Sequence, residues 1–389
     1  MNDNKKQHWH TTLVQPQVQV PAGFKALVPA IHRGSTVVFE RLADVQDNWR
    51  QDHYTYGLYG TPTTRELALR IAELEGAHGS FITPGGQAAI LLVYLACCRA
   101  GSHVLLPDSA YGPNRELATD LLAGLGIEVE PYDPLAGANI ATLIRPNTHL
   151  VWCESPGSIT MEVQDVPAIV AAAHQAGVPV ALDNTYAAGV YFDAFAHGVD
   201  ISLQALTKYI GGHSDLLLGS VSAGGAQWFE RLGATHRLLG LGVSPDDCAL
   251  ALRGLETLAV RLERLQASAL EVVGWCKQQQ AIARVLHPAL PDCPGHDHWQ
   301  RDFSGSSSLF SIVFQPGFDQ ACTTRFVEGL RLFKLGFSWG GTTSLVMAYP
   351  RLARGPARAG QLVRLNIGLE APADLIADLA QALAGAGSA

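Results

Sequence analysis

The sequence predicts an α/β fold, in which a mostly parallel β-sheet lies between two layers of helices and is followed by a smaller α+β domain. Two observations predict this architecture. Short, continuous apolar runs alternate with amphipathic stretches from about residue 65 to residue 245, and such runs are typical of parallel strands that are buried on both faces. The chain of 389 residues also exceeds the usual domain length of about 150 residues, which indicates roughly two domains.

The elements of the first domain can be placed in chain order. Residues 1–60 contain early prolines and little periodicity, and we interpret them as an extended N-terminal arm. Residues 61–245 then form the large domain. Its predicted strands are residues 80–83, 103–107, 149–154, 178–183 and 200–206, and a predicted helix at residues 167–177 ends in a glycine, as helices commonly do.

A second, smaller α+β domain is predicted over residues 246–389. One long helix is indicated by apolar residues that recur at spacings of three and four, namely Leu255, Leu258, Leu262, Leu265 and Ala269. Strands are predicted at residues 306–314 and 362–369. An amphipathic helix follows them, and its apolar face carries Leu375, Leu379 and Leu383.

The composition argues against several classes of function. The formal net charge of -8, from 27 basic and 35 acidic residues, disfavours nucleic acid, because its phosphate backbone is bound by basic surfaces. The first residues lack the apolar segment of a secretory signal, and the longest apolar run, residues 88–98, is far shorter than the roughly 20 residues that cross a bilayer. Seven cysteines without CxxC spacing indicate free thiols in a reducing compartment. We therefore expect a cytoplasmic protein without a nucleic-acid or membrane partner.

Residues suited to chemistry follow several predicted strands at the point where each strand ends. A glycine turn, Gly85-Gly86-Gln87, follows the first strand, and Tyr111 lies shortly after the second. Asp183 and Lys208 come at the ends of two later strands. Because ligands of open parallel sheets bind beyond the carboxyl ends of the strands, we expect these residues to lie close together.

This combination matches the requirements of pyridoxal phosphate. Lys208 could form the Schiff base, because a buried lysine has a lowered pKa and a reactive amine. Asp183 could keep the pyridine nitrogen protonated, which makes the ring a strong electron sink. Tyr111 could stack on the ring. The amides of the glycine turn and of the helix that follows could hold the phosphate.

Each of these residues has a structural explanation when it is considered alone. The glycines could form an ordinary turn, Asp183 could cap a helix, Tyr111 could belong to the core, and Lys208 could be a surface lysine. Their convergence at one edge of the sheet favours the cofactor site. A group of possible metal ligands lies in a proline-rich stretch without regular spacing, and we expect no metal there: His287, Cys293, His296 and His298. We find no GxxxxGK[ST], GxSxG or HExxH motif.

Several longer stretches carry a resemblance to a known family. They are SPGSITMEVQDVPAIVAA from Ser155, DNTYAAGV from Asp183, LTKYIGGHSD from Leu206, HPALP from His287, RDFSGSS from Arg301, SWGG from Ser338 and LVRLNIGLE from Leu362. With these stretches the chain resembles the cysteine/methionine-metabolism branch of the fold-type I pyridoxal-phosphate enzymes over about residues 54–379. The resemblance implies an aspartate-aminotransferase-like fold. It also implies that Lys208, Tyr111 and Tyr56 take part in catalysis, with Asp183 as the partner of the pyridinium.

The resemblance further implies how the cofactor phosphate is held. Backbone amides of Gly86 and Gln87 and the hydroxyl of Thr207 would bind it, and Tyr56 would reach the phosphate of a neighbouring subunit's site. The active unit would then be a homodimer, and the implied assembly is a homotetramer. The family commonly has Tyr-x-Arg in the arm, whereas this chain has Leu58 at the arginine position. Leu58 cannot bind an anion, which shifts phosphate binding onto the remaining groups.

The substrate side is implied in the same way. Arg364 would bind the substrate carboxylate through its two-pronged guanidinium, and Ser338 and the backbone of Trp339 would steady Lys208 and that carboxylate. Relatives that act at the γ-carbon typically have a glutamate immediately before this serine, whereas this chain has Phe337. The resemblance therefore implies β-elimination of cystathionine to homocysteine, pyruvate and ammonia, with cysteine or cystine as further possible substrates.

Three other functions remain open at the level of the sequence. The first is a lyase or synthase that acts at the γ-carbon of cystathionine. The second is a non-catalytic regulatory protein on the same fold, which the intact set of Lys208, Asp183 and Arg364 disfavours. The third is an NAD enzyme on an α/β sheet, which the missing GxGxxG turn disfavours.

Overall fold

A computed structural model describes residues 8–14, 23, 26–45, 53–349, 352 and 361–387 of the chain. The predicted arm contains a short helix, α1 (Trp9–Val14), and turns of 3-10 helix at Leu42–Asp44 and Gly57–Tyr59. An isolated bridge joins Thr36 to Tyr56. The arm is therefore not extended throughout, because α1 buries Leu13 in a core shared with the large domain. Residues 1–7, 15–22, 24–25 and 46–52 of the arm lie outside the described part.

A seven-stranded sheet forms the centre of the large domain. Its strands are β1 (Gly79–Thr83), β2 (His103–Pro107), β3 (Glu128–Tyr132), β4 (Thr148–Glu154), β5 (Val180–Asp183), β6 (Ile201–Gln204) and β7 (Gly219–Ala223). They lie in the order β1-β7-β6-β5-β4-β2-β3. Strand β7 is antiparallel to both of its neighbours, and the pairings from β6 through to β3 are parallel. The prediction of a mostly parallel sheet is confirmed.

Helices cover both faces of this sheet. They are α2 (Pro62–Glu75), α3 (Gly86–Cys97), α4 (Gly112–Glu116, continued by a π-helical turn at Leu117–Leu122), α5 (Val166–Gln175) and α6 (Ala226–Leu239). Alternate residues of β2 show the layering. Val104 and Leu106 enter the core that contains α3 and α6, whereas Leu105 enters the core that contains α5. The strand is buried along its whole length, which explains its continuous apolar sequence.

Strand β7 was not predicted, because its sequence, GSVSA, lacks an apolar run. Its serines are nevertheless buried and hydrogen-bonded. The Ser222 hydroxyl lies 2.7 Å from the Ser80 hydroxyl and 2.5 Å from a carboxylate oxygen of Glu75, which is itself buried in α2. A polar network thus replaces the aliphatic packing that marks the other strands, and this network depends on residues that are distant in sequence.

The C-terminal part of the chain forms a second, five-stranded sheet. Its strands are β8 (Ile282–Leu286), β9 (Leu309–Phe314), β10 (Lys334–Leu335), β11 (Leu345–Tyr349) and β12 (Leu362–Asn366), in the order β10-β11-β12-β9-β8. The accompanying helices are α7 (Pro245–Glu256), α8 (Leu258–Cys276), α9 (His296–Asp302), α10 (Gln320–Gly329) and α11 (Pro372–Gly387). Adjacent antiparallel strands with helices alongside confirm the α+β character. The domain boundary after residue 245 stays a prediction, since α7 begins there and packs against α2.

The long helix predicted through Leu255 and Ala269 is wrong in one respect, because it is interrupted at Thr257. The side chain of Arg261 takes the Gly254 carbonyl as an acceptor at 2.7 Å and the Thr257 hydroxyl at 3.1 Å. A Cβ atom at position 254 would collide with the carbonyl of Ile210. Glycine at position 254 therefore allows helix α7 to approach the loop that follows Lys208. Apolar periodicity continues across the break and cannot reveal it.

The possible metal ligands His296, Cys293 and His298 each contact a different neighbour. His296 Nδ1 lies 2.8 Å from the Pro288 carbonyl, and Cys293 Sγ donates to the Met161 carbonyl at 3.4 Å. His298 faces Asp165 at 3.7 Å. In the described part of the chain, no group of three or more His, Cys, Asp or Glu side chains is arranged to hold a metal ion. None of the helices described is long and apolar enough to span a membrane.

Candidate active site

A cavity of about 340 Å³ lies at the carboxyl ends of β4, β5 and β6. This is the edge at which a parallel sheet of this kind binds ligands. The cavity brings together seven of the ten predicted site residues: Gly86, Gln87, Tyr111, Asp183, Thr207, Lys208 and Trp339. Ser338 and Arg364 lie beside the cavity, where they contact Lys208 and Ser158, respectively. Tyr56 is not among the described residues that line the cavity.

One end of the cavity has the form of an anion site. Helix α3 begins there at Gly86, and its N-cap residue, Gly85, has a φ of 141° and provides no side-chain cap. The amides of the first helical turn are therefore not capped by a side chain and face the cavity with the positive end of the helix dipole. A Cβ atom at position 86 would lie 2.8 Å from the Cβ of Ala205. Glycine at this position lets the turn and the Lys208 strand approach closely.

The hydroxyl of Thr207 lies in the same part of the cavity wall. It donates to the Leu218 carbonyl at 3.1 Å and accepts from the Leu218 amide at 3.1 Å. Its hydrogen would have to leave the carbonyl before it could donate to a phosphate. The backbone amides of Gly86 and Gln87 carry no such constraint from a capping side chain.

Lys208 lies in the turn that follows β6 and points its amine into the cavity. Burial, together with the nearby positive charge of Arg364, lowers the pKa of Lys208 to about 8, although the Asp183 carboxylate opposes this shift. A substantial fraction of the amine is then neutral near physiological pH, which is the form that attacks a carbonyl or accepts a proton. The residue has the chemistry expected of a nucleophile and a base.

The amine of Lys208 is oriented by residues of the loop between β10 and β11. It donates to the hydroxyl of Ser338 at 2.7 Å and lies 5.4 Å from the centre of the Trp339 ring. Ser338 has a φ of 94°, a left-handed backbone conformation that costs a non-glycine residue of order 1–3 kcal/mol. The surrounding fold holds the serine in this conformation, and its hydroxyl then meets the amine.

Asp183 is a half-buried residue at the end of β5. One of its oxygens accepts hydrogen bonds from the Thr185 amide at 3.0 Å and the Thr185 hydroxyl at 2.5 Å. Burial raises the pKa of Asp183, while the bonds from Thr185 and the charge of Lys208 act in the opposite direction. A protonated nitrogen in the cavity would satisfy the second oxygen and favour the ionised carboxylate.

Tyr111 lines the cavity, and Arg364 lies behind its wall next to Ser158. Tyr111 is 40% exposed, and burial and the charge of Asp183 raise the pKa of its phenol, which therefore keeps its proton. Arg364, in β12, is buried and donates to the Ser158 carbonyl at 3.0 Å. Its guanidinium also lies 5.3 Å from the centre of the Tyr349 ring. A buried guanidinium of this kind is suited to a carboxylate ligand.

Two cavity residues, Glu154 and Ser158, received no role from the sequence. Glu154 ends β4 and pairs in register with Asp183 on β5. Its oxygens accept from the Tyr111 amide at 2.7 Å and the Ser158 amide at 3.2 Å, and burial together with the Asp183 carboxylate raises the pKa of Glu154 to about 8. The position of Glu154 at the end of an apolar strand was the same signal that identified Asp183. The Ser158 hydroxyl is buried beside the Glu154 carboxyl, and its hydrogen bond acts to lower the pKa of that carboxyl.

Tyr56 and Leu58 lie away from this cavity. Tyr56 is 48% exposed and packs edge-on against Tyr59, with ring centres 6.3 Å apart. Leu58 contributes to a separate, smaller depression together with His236 and Arg237, and approaches Gly242. The structure therefore does not bring Tyr56 into the site of its own chain, and its predicted role toward a neighbouring subunit stays a prediction.

The residues present fit pyridoxal phosphate. The uncapped start of helix α3 fits a phosphate, Asp183 has an oxygen available to a protonated ring nitrogen, and Lys208 can reach an aldehyde. The volume falls within the range of small-molecule sites.

Comparison with known proteins agrees with this geometry. Residues 10–384 match the model of the Cys/Met metabolism PLP-dependent enzyme family. The chain is 43% identical to a cystathionine beta-lyase of Bordetella avium, covering 90% of each chain. It is 41% identical to the cystathionine beta-lyase of Escherichia coli strain K12, over 91% of this chain and 92% of that one. A cystathionine gamma synthase structure from Xanthomonas oryzae, in complex with cystathionine, matches with a TM-score of 0.89 and 31% identity over 98% of both chains. The chain therefore belongs to the Cys/Met metabolism family of pyridoxal-phosphate-dependent enzymes.

Proposed function

We propose that this enzyme catalyses the β-elimination of L-cystathionine to homocysteine, pyruvate and ammonia. The observation that carries the proposal is the placement of Lys208, whose amine faces both the Asp183 side of the cavity and the Ser338–Trp339 segment. One base at this position suffices to remove the Cα proton. The similarity to proteins named cystathionine beta-lyase supports the β-carbon as the site of cleavage.

The residues around the cavity would divide the work as follows. Arg364 binds the substrate carboxylate, so that the Cα–H bond is directed toward Lys208. The neutral amine of Lys208, whose pKa is lowered to about 8, takes the Cα proton. The Cβ–S bond then breaks, and its electron pair leaves with sulfur. Tyr111, a protonated phenol, is placed to give that sulfur a proton, and the three-carbon remainder hydrolyses to pyruvate and ammonia.

The cofactor, when bound, supplies an electron sink for the carbanion formed at Cα. Gly86 and Gln87 would hold its phosphate through backbone amides, with Thr207 beside them. Asp183 would hold a proton on the pyridine nitrogen, because a carboxylate within about 4–6 Å raises the pKa of a base by roughly 1–3 units. Ser338 would keep the Lys208 amine in place between proton transfers.

The mouth of the site supports the β-carbon over the γ-carbon. Phe337 is 76% exposed and Trp339 forms part of the cavity wall, so the segment around Ser338 provides an apolar border. Chemistry at the γ-carbon requires a further proton transfer at Cβ. The family likeness to a cystathionine gamma synthase makes γ-elimination the second candidate.

A product assay with L-cystathionine tests the proposed reaction. We expect pyruvate, ammonia and homocysteine in equal amounts. Cleavage at the γ-carbon would instead give 2-oxobutyrate and cysteine, and that result would replace the proposal by its second candidate. Formation of neither set, from protein that carries the cofactor, would remove cystathionine as the substrate. Cysteine and cystine in parallel reactions would define the substrate range.

We also propose that the active unit is at least a homodimer, with a homotetramer as the complete assembly. Tyr56 stands away from the cavity of its own chain, and several apolar arm residues are largely exposed, namely Leu27, Val38 and Leu42. If Tyr56 completes a neighbour's site, dilution should reduce activity in step with dissociation. Sedimentation and activity can be followed together over the same concentrations. A fully active monomer would contradict the proposal.

A further inference from the structure

We propose that Glu154 is a positioning residue that holds both sides of the substrate site, Tyr111 and Arg364, in register. The inference rests on the roles proposed above for those two residues. Glu154 takes no part in the proton transfers. It acts through the backbone of its neighbours and sets the geometry in which the cofactor and the amino acid are bound.

The first contact of Glu154 fixes the tyrosine. Its carboxylate accepts from the Tyr111 amide at 2.7 Å, across 43 residues of sequence. Tyr111 is the N-cap residue of α4, with an extended-type ψ of 130° and no capping hydrogen bond from its own side chain. The loop between β2 and α4 is thus tied to the end of β4 by this bond. A shift of the amide would carry the ring of Tyr111 with it.

The second contact leads to the arginine. The other carboxylate oxygen accepts from the Ser158 amide at 3.2 Å. The carbonyl of the same residue accepts from Arg364 Nη1 at 3.0 Å. Ser158 therefore links Glu154 to the guanidinium through one residue of backbone. The tyrosine and the arginine are in this way connected through a single side chain.

Glu154 itself is held firmly. Its amide donates to Gln164 Oε1 at 2.8 Å, and the Gln164 side chain donates in turn to the Tyr132 hydroxyl at 2.8 Å. That hydroxyl donates to the Trp152 carbonyl at 2.7 Å. All of these groups are buried. A rigid anchor of this kind transmits the position of the strand end to the two loops.

The test replaces Glu154 by glutamine. Glutamine keeps the shape but presents an N–H₂ group to one of the two amides, so that one buried donor loses its acceptor. We expect the dissociation constant of L-alanine, measured by calorimetry on the cofactor-loaded enzyme, to rise about tenfold, which corresponds to about 1.4 kcal/mol. Titration of the apoprotein with pyridoxal phosphate should show a weakening of similar size.

Glu162→Gln is the matched control. Glu162 is a buried glutamate in the loop that follows β4, and it is not among the residues that line the cavity. It should change both dissociation constants by less than about twofold, even if both variants lose stability. Equal losses of affinity in the two variants would show a general disturbance of the loop and would overturn the proposal.

A double variant distinguishes positioning from simple support of the fold. In an Arg364→Lys background the link from Ser158 to the guanidinium is already broken and only the link from Glu154 to the Tyr111 amide remains, so adding Glu154→Gln should weaken alanine binding by only about threefold. An undiminished tenfold effect in that background, or wild-type affinities in the single variant, would sink the proposal. Should Glu154→Gln fail to fold, Glu154→Asp, which keeps the charge and shortens the reach, takes its place with the same expectations.

L-alanine has no leaving group at its β-carbon, so these binding results do not depend on which bond the enzyme breaks. A failed product assay with cystathionine would leave them standing. Conversely, normal binding in the Glu154 variants would remove the positioning role while the proposed reaction survived.

Discussion

Replacement of Lys208 by alanine should reduce turnover of cystathionine at least about 100-fold, because the base that removes the Cα proton is lost and general-base catalysis alone contributes about 10²–10⁴-fold. The pKa of Lys208, lowered to about 8, gives the amine the protonation state that this step requires, and its hydrogen bond to Ser338 holds it in place. Steady-state kinetics of the variant, measured with saturating cofactor, checks the loss.

Lys334→Ala is the control for this experiment. Lys334 is an exposed lysine of β10 whose amine contacts the Arg331 carbonyl, and its removal should leave turnover unchanged. Borohydride reduction followed by digestion gives an independent measurement. The pyridoxyl label should appear on the peptide that contains Lys208 in the wild type and disappear from it in Lys208→Ala. Near-normal turnover of the variant, or a label on another peptide, would remove Lys208 from the centre of the mechanism.

Replacement of Asp183 by asparagine should lower kcat by about 10- to 1000-fold. A carboxylate partner raises the pKa of a nearby base by roughly 1–3 units, so its loss reduces the protonated fraction by about the same powers of ten. Asparagine keeps the hydrogen bond from the Thr185 amide but not the charge. The fall should therefore appear in kcat more than in KM, and it should become smaller as the pH is lowered.

Asp165→Asn provides the matched comparison for Asp183→Asn. Asp165 caps helix α5 through the Ala168 amide and is not part of the cavity wall, so its loss should affect stability and leave the pH profile of kcat unchanged. If Asp183→Asn gives a pH profile parallel to that of the wild type, the carboxylate does not act through protonation of the ring, and its proposed role is wrong.

The parts of the fold and site that follow strand ends could be predicted from the sequence. Asp183 and Lys208 come directly after continuous apolar runs, and a parallel sheet brings such strand ends to one edge. The glycine turn before α3 carried the same information. Local sequence and one rule of sheet topology were sufficient to predict that these residues lie close together.

Other parts depend on contacts between distant segments and left no local trace. Strand β7 is built on buried serines that a carboxylate in α2 satisfies. At the break, Arg261 contacts both the Thr257 hydroxyl and the loop after Lys208. Glu154 stood at a predicted strand end, yet its link to Tyr111 joins loops 43 residues apart. Hydrogen-bond partners at such distances cannot be read from periodicity.

Lys208 follows a strand of the first sheet, whereas Ser338 lies in the loop between β10 and β11 and Arg364 lies in β12 of the second sheet. The contact between amine and hydroxyl measures 2.7 Å, and a hydrogen bond no longer exists once its atoms separate by about a further ångström. A small separation of the two sheets would therefore break this contact and lower the turnover of the enzyme while both sheets remained folded. Turnover would then report on the contact between the two sheets. It should fall at denaturant concentrations that are too low to change the far-UV circular dichroism of the protein.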